Sequence, residues 1–157
     1  MGLLIDGHIA TVDDLAQVDS GAFEVAKAEG INLENKCLLA HRDCRLKITQ
    51  FILNNSLEGR IGTSGNVPRL DRIIVTDGVK SWFTLHTLQL LYSDAYYRSL
   101  NDRYGKKFEH FGTLARSAWD ILVDTGFACT YEPVVRGRIR AVEINQTPIV
   151  PGVYYIA

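Results

Sequence analysis

Three arginines alternate along one stretch, Arg136, Arg138 and Arg140, with Gly137, Ile139 and Ala141 on the other parity. On an extended chain alternate side chains share a face, so the three guanidinium groups line one side of a strand. Such a strip can bind phosphate or an acidic partner through charge-assisted hydrogen bonds. The competing reading is a solvated edge strand whose charge discourages pairing with other chains. Arg103, Lys106 and Lys107 form a second basic group, where a helix dipole alone could account for them. Arg60 and Arg69 lie in a stretch rich in glycine and asparagine, which favours a binding or mobile loop over regular structure.

Other chemistry is sparse. Gly59, Gly62 and Gly65 are not followed by Gly-Lys-Ser/Thr, so the loop is no nucleotide phosphate cradle. His8, His41, His86 and His110 make no HExxH and no pair four residues apart, which favours packed or surface histidines over metal ligands. His86, on an apolar helical stretch, reads as a hydrogen-bonded core or interface histidine. Cys37, Cys44 and Cys129 form no CxxC. Cys37 and Cys44 stand two helical turns apart, about 10 Å, too far for a disulfide. They read as small buried apolar residues of a chain folded in a reducing cytoplasm. No serine sits in a GxSxG, and Asp13, Asp14, Asp94, Asp102 and Asp120 form no persuasive carboxylate pair. The expectation is a non-enzyme with no catalytic residue, no cofactor and no metal.

Composition narrows the class further. Seventeen Lys and Arg against eighteen Asp and Glu leave a formal charge of −1, no global case for nucleic acid or acidic membranes. No apolar run reaches about 18 residues, and the N-terminus lacks the basic start of a secretory signal. At 157 residues the chain is long enough for its own core.

The elements that must carry these residues are mostly helices. Thr11 with Asp14 resembles a capping box opening a short helix, interrupted at Ser20-Gly21 and resumed to Gly30. Asn32 caps a stronger helix from Leu33 to about Leu53. Its apolar face is Leu33, Cys37, Ala40, Cys44, Ile48 and Phe51. Leu38, Leu39, Leu46 and Leu53 lie off that line, so this helix predicts packing on two flanks, either inside its own domain or against a neighbouring subunit. Residues 54–72 read as a long loop, or as a hairpin with Ile61 and Val67 flanking a turn at Ser64-Gly65-Asn66. Thr76 and Asp77 then start the run that organises the chain, a helix pair ending at Gly126 with a break near Asn101–Gly105. The apolar positions Val79, Trp82, Phe83, Leu85, Leu88, Leu91, Tyr92, Ala95 and Tyr96 form a wide stripe, and Phe108, Phe111, Ala115, Ala118 and Leu122 form the seam of the second helix, with Leu114 and Ile121 beside it. Residues 127–157 read as a β-like extended arm, since Pro148 and Pro151 forbid a helix. The fold class is therefore mainly α: a helical bundle over 1–126 with a long inter-helix loop, and a C-terminal arm. The apolar end Val153-Tyr154-Tyr155-Ile156 is of a kind that docks onto something.

In the opening TVDDL at 11–15, the long amphipathic helix and the segment WFTLHTLQLLYSDAYYRSLNDRYGKKFEHFGTLA at 82–115, the chain resembles the head–tail adaptor (connector) proteins of tailed bacteriophages. The resemblance covers most of residues 11–125 and rests on element order and helix texture. The β-like tail departs from the smallest adaptors, some of which end in a helix. The resemblance implies a structural protein of the virion neck, made in the host cytoplasm and assembled as a homo-oligomeric ring, a dodecamer, under the portal protein. Its partners would be the portal, the next neck or tail ring, and DNA passing through the channel without sequence specificity; no membrane is involved. Partner-binding residues are then expected on the arm, at Arg136, Arg138, Arg140, Tyr154 and Tyr155, and in the loop, at Arg60 and Arg69. Two rival readings are a small nucleic-acid-binding helical protein using the Arg136–Arg140 face and another neck protein, a tail terminator or head-completion protein. A third is an enzyme with an unrecognised site.

Overall fold

A computed structural model describes residues 4, 9–57, 70, 73–130 and 153–156. The chain is mainly helical. Five helices follow in order, α1 (Val12–Val18), α2 (Ala22–Ala28), α3 (Leu33–Leu57), α4 (Asp77–Ser99) and α5 (Asp102–Thr125), then strands β1 (Phe127–Thr130) and β2 (Val153–Ile156).

Helix α4 is the axis of the molecule, packed by α3 on one flank, by α5 on another, and by α1 and α2. Its sequence explains this: Val79, Trp82, Phe83, Thr84, Thr87, Leu88, Leu91, Tyr92 and Ala95 are all buried, more than one face of a helix can present to a single neighbour. The two buried threonines cost little, because the Thr84 hydroxyl donates to the Lys80 carbonyl (2.9 Å) and the Thr87 hydroxyl to Phe83 (2.8 Å). The start is fixed by Thr76, whose Oγ1 accepts from the Val79 N–H at 3.4 Å.

Helices α4 and α5 form an antiparallel hairpin whose close approach is set by three glycines. A Cβ on Gly78 would stand 3.1 Å from Leu122, on Gly105 3.1 Å from the Tyr96 ring, and on Gly112 2.9 Å from the Gln89 amide. These pairs share one antiparallel register. Gly105 is thus an interior helical residue required by packing, and the break expected near Asn101–Gly105 is confined to Leu100 and Asn101. Leu100 takes a left-handed conformation (φ 51°, ψ 31°) and closes α4. The Asn101 side chain opens α5 by accepting from the Arg103 N–H at 3.0 Å.

Three further boundaries repay comparison with the sequence. The capping box between Thr11 and Asp14 is present: Asp14 Oδ2 accepts from the Thr11 N–H (2.7 Å) and from the Thr11 hydroxyl (2.9 Å). Helix α3 runs to Leu57, four residues past the expected end; Ile52 in its final turns is buried, and tertiary burial outweighs the weak helix preference of Asn54 and Asn55. Gly126 ends α5 with a positive φ of 82° and ψ of 168°, extended rather than left-handed helical.

The chain after Gly126 begins inside the core. Phe127 is buried and packs on Phe51 (5.5 Å between ring centroids) and Trp119 (5.9 Å). Trp119 in turn lies 4.7 Å from Trp82, so α3, α4, α5 and β1 meet in one aromatic cluster. Its cap is Lys47, whose ammonium lies 4.4 Å from the Trp119 ring centroid. The Ile74 N–H donates to the Ala128 carbonyl (2.8 Å), and β2 pairs antiparallel with β1 in the register Phe127 to Ile156 and Thr130 to Val153.

Candidate interaction surfaces

Of the residues expected to bind a partner, Arg60, Arg69, Arg136, Arg138 and Arg140 lie outside the described residues. Tyr154 and Tyr155 lie in β2, where their backbones pair with Cys129 and Ala128. The apolar terminus therefore does dock, but onto its own chain. The pairing covers 153–156 alone, and residues 131–152 lie outside the described residues.

The broadest outward apolar surface described is on α3. The buried face Cys37, Ala40, Cys44 and Ile48 turns toward α4, and the opposite side carries Leu38, Leu39, Leu46 and Leu53, between 39% and 59% exposed. Leu39, Leu46 and Leu53 are seven residues apart, so they form a line along the helix. A single exposed leucine is ordinary on a protein surface; a line of them on one helix is a candidate contact surface. Arg42, with its side chain 69% exposed, stands within this line, and the exposed Arg45 flanks it on the side of Leu38. Next to Leu38 the surface dips into a recess of about 350 Å³ between Ala10, Thr11, Val12, Glu34 and Cys37. Helix α5 bears a narrower outward line, Leu114 (38% exposed) and Ile121 (59%), again seven apart.

Two polar clefts were candidates for chemistry. The first, about 270 Å³, lies between α2 and α5, with Tyr92, Arg103, Tyr104 and Lys107 in its wall. At its base the Tyr92 hydroxyl donates to Asp19 Oδ2 (2.5 Å), and Lys107 Nζ donates to that same oxygen (2.7 Å) and to the Tyr92 oxygen (2.9 Å). Burial alone would raise the Asp19 carboxyl, but hydrogen bonds from Lys107, Tyr92 and the Gly21 N–H hold it below the usual carboxylate value. Burial, and then the bond to Asp19, pushes the Tyr92 phenol far above its ordinary range. A phenol so hard to ionise gives up its proton poorly, and the three groups satisfy one another. The arrangement does the work of a tie: it fastens the α1–α2 turn to α4 and α5.

The second cleft, about 260 Å³, opens between α3 and α5 over α4. His86 lies on its floor, with Nδ1 3.3 Å from Gln89 Oε1 and Nε2 3.6 Å from Asp43. His86 is thus half-buried and hydrogen-bonded, between helices of its own chain. Burial lowers the Lys47 ammonium's pKa, and the two indoles already cap it. Cys37 and Cys44 are buried and free, and burial pushes the Cys44 thiol up to about 12. Among the described residues no three His, Cys, Asp or Glu side chains are placed to hold a metal ion, and no helix is long and apolar enough to cross a membrane.

Sequence reasoning missed the Asp19–Tyr92–Lys107 tie. Its members are 73 and 15 residues apart, and no local pattern links them. The one signal was Asp19 itself, a carboxylate placed two residues before the turn glycine Gly21. No known protein family, curated protein or solved structure matches the chain.

Proposed function

We propose that this chain is a structural head–tail adaptor of a tailed phage, one copy of a ring that sits under the portal, joins capsid to tail and keeps a channel open for DNA. The observation that carries this reading is the outward face of α3. A helix that is apolar on its core side and again on its solvent side is completed by another molecule. The described polar clefts hold groups already engaged with one another, which favours an assembly role over a reaction at those sites. A neutral chain fits passage of DNA without grip, because a strongly basic channel would bind phosphates and retard them. Closed rotation of one surface onto a different surface of the next copy generates a ring. The test is electron microscopy of purified portal rings with and without the protein. A second ring of density stacked on one face of the portal is the expected image; bare portals at saturating protein contradict the proposal.

A further inference from the structure

We infer that the α3 leucine face is one half of a head-to-tail seam between copies of this chain, and that its other half is the Leu114–Ile121 edge of α5. The inference deepens the ring reading above and rests on it. Both lines repeat every seven residues, a rise of about 10.5 Å along either helix, so their side chains can interlock over two turns. They lie on α3 and α5, helices that pack against different flanks of α4, so one molecule can offer both at once. That is the requirement for a contact that propagates from copy to copy.

Charge decides between this pairing and a symmetric one. The α3 line carries Arg42 and Arg45, both exposed. Packed on itself across a two-fold axis, it would set arginine against arginine at the centre of the contact, with Asp43, 3.8 Å from Arg42, the one counter-charge beside them among the described ion pairs. The α5 line instead carries Asp124 one turn beyond Ile121, at the helix's negative end. Laid antiparallel with Leu46 against Ile121, the two helices bring Leu53 to Leu114 and Arg42 and Arg45 to Asp124. Neither Arg45 nor Asp124 has an ion-pair partner among the described residues, so the contact asks neither to give one up.

The experiment is sedimentation velocity over a concentration series with wild type, Leu46→Asp and Ile121→Asp. Wild type is expected to associate beyond dimer as concentration rises. Each variant alone keeps one half of the seam and is expected to remain monomeric, its association weakened at least about thirty-fold by loss of a central apolar anchor. Mixed together, the two variants are expected to form a one-to-one dimer, since each supplies the half that the other lacks. Arg42→Glu with Arg45→Glu should weaken association, and adding Asp124→Arg should restore it to within about threefold of wild type. Wild type that stays monomeric throughout, or a variant mixture that does not pair, overturns the seam. So does Ile121→Asp dimerising alone, which would mark a symmetric α3 contact. Both positions are exposed, and circular dichroism confirms folding; a misfolded variant is replaced by Leu46→Ser or Ile121→Ser. Pelleting the same proteins on portal rings separates the two claims. Pairing without portal binding keeps the seam and removes the adaptor, and portal binding without pairing does the reverse.

Discussion

Replacing Asp19 by alanine should cost more stability than any other single polar change described here. The side chain is 11% exposed and receives three donors: the Tyr92 hydroxyl, the Lys107 ammonium and, at 3.0 Å, the Gly21 N–H. Without it the fully buried Tyr92 hydroxyl has no acceptor, a penalty of about 1–3 kcal/mol. Lys107 loses its counterion, but its side chain is one-third exposed and regains water, so that part is about 1 kcal/mol. The total is about 2–4 kcal/mol, a large share of the ~5–15 kcal/mol typical of a domain. Tyr92→Phe leaves the carboxylate with Lys107 and Gly21 and should cost only about 1 kcal/mol. Because the folded carboxyl titrates below its unfolded value of 3.8, its contribution is complete only well above that value. It is lost as pH falls from about 5 through the lowered folded value. Asp14, held low first by its hydrogen bond to Lys80 and then by the Thr11 N–H, acts in the same sense. Urea unfolding of wild type and both variants between pH 7 and pH 2 reads all of this. Wild type should lose stability in acid, and Asp19→Ala should start lower and lose less. An Asp19→Ala midpoint within about 0.5 kcal/mol of wild type at pH 7, or an unchanged acid slope, refutes the reasoning.

Other expectations are more local. Leu100→Gly relieves a left-handed leucine that is 72% exposed, and should raise stability by about 0.5–1 kcal/mol in thermal unfolding after the entropy of the freer unfolded chain is counted. Trp119→Ala removes the ring that joins Phe51, Trp82 and Phe127, and should cost about 3–5 kcal/mol by urea titration. In a Cys129→Ser background the native protein should react slowly with a thiol reagent at pH 8, because Cys44 stays protonated up to about 12 and Cys37 is also raised by burial. Both thiols should react at once in urea; rapid native labelling would show that α3 opens from α4.

The helices were legible because their signals are local. Thr11 with Asp14, Asn32 and Thr76 each place a side-chain acceptor at a helix start, and each helix begins there. The double-sided character of α3 was legible too, since Leu38, Leu39, Leu46 and Leu53 break the single stripe of a surface helix. What the sequence hid were relations across distance. Gly105 looked like a breaker, and only Tyr96 on the facing helix shows why it is an interior residue. Asn54 and Asn55 resembled turn chemistry, but burial of the preceding turns carries the helix past them. The tail drew attention to its alternating arginines, while its described pairing is by backbone, between β2 and a strand 26 residues earlier. The candidate contact surface shifted for the same reason: charge alternation is conspicuous in a sequence, whereas exposure of a leucine is a property of the folded helix.

The central claim is that this chain completes itself by joining a ring. The most direct test is the mass of the purified protein in solution with and without a portal ring. The account predicts that a portal ring gains a full ring of copies, twelve by resemblance to the adaptors, in one cooperative step. A compact monomer that leaves the portal's mass unchanged would contradict it.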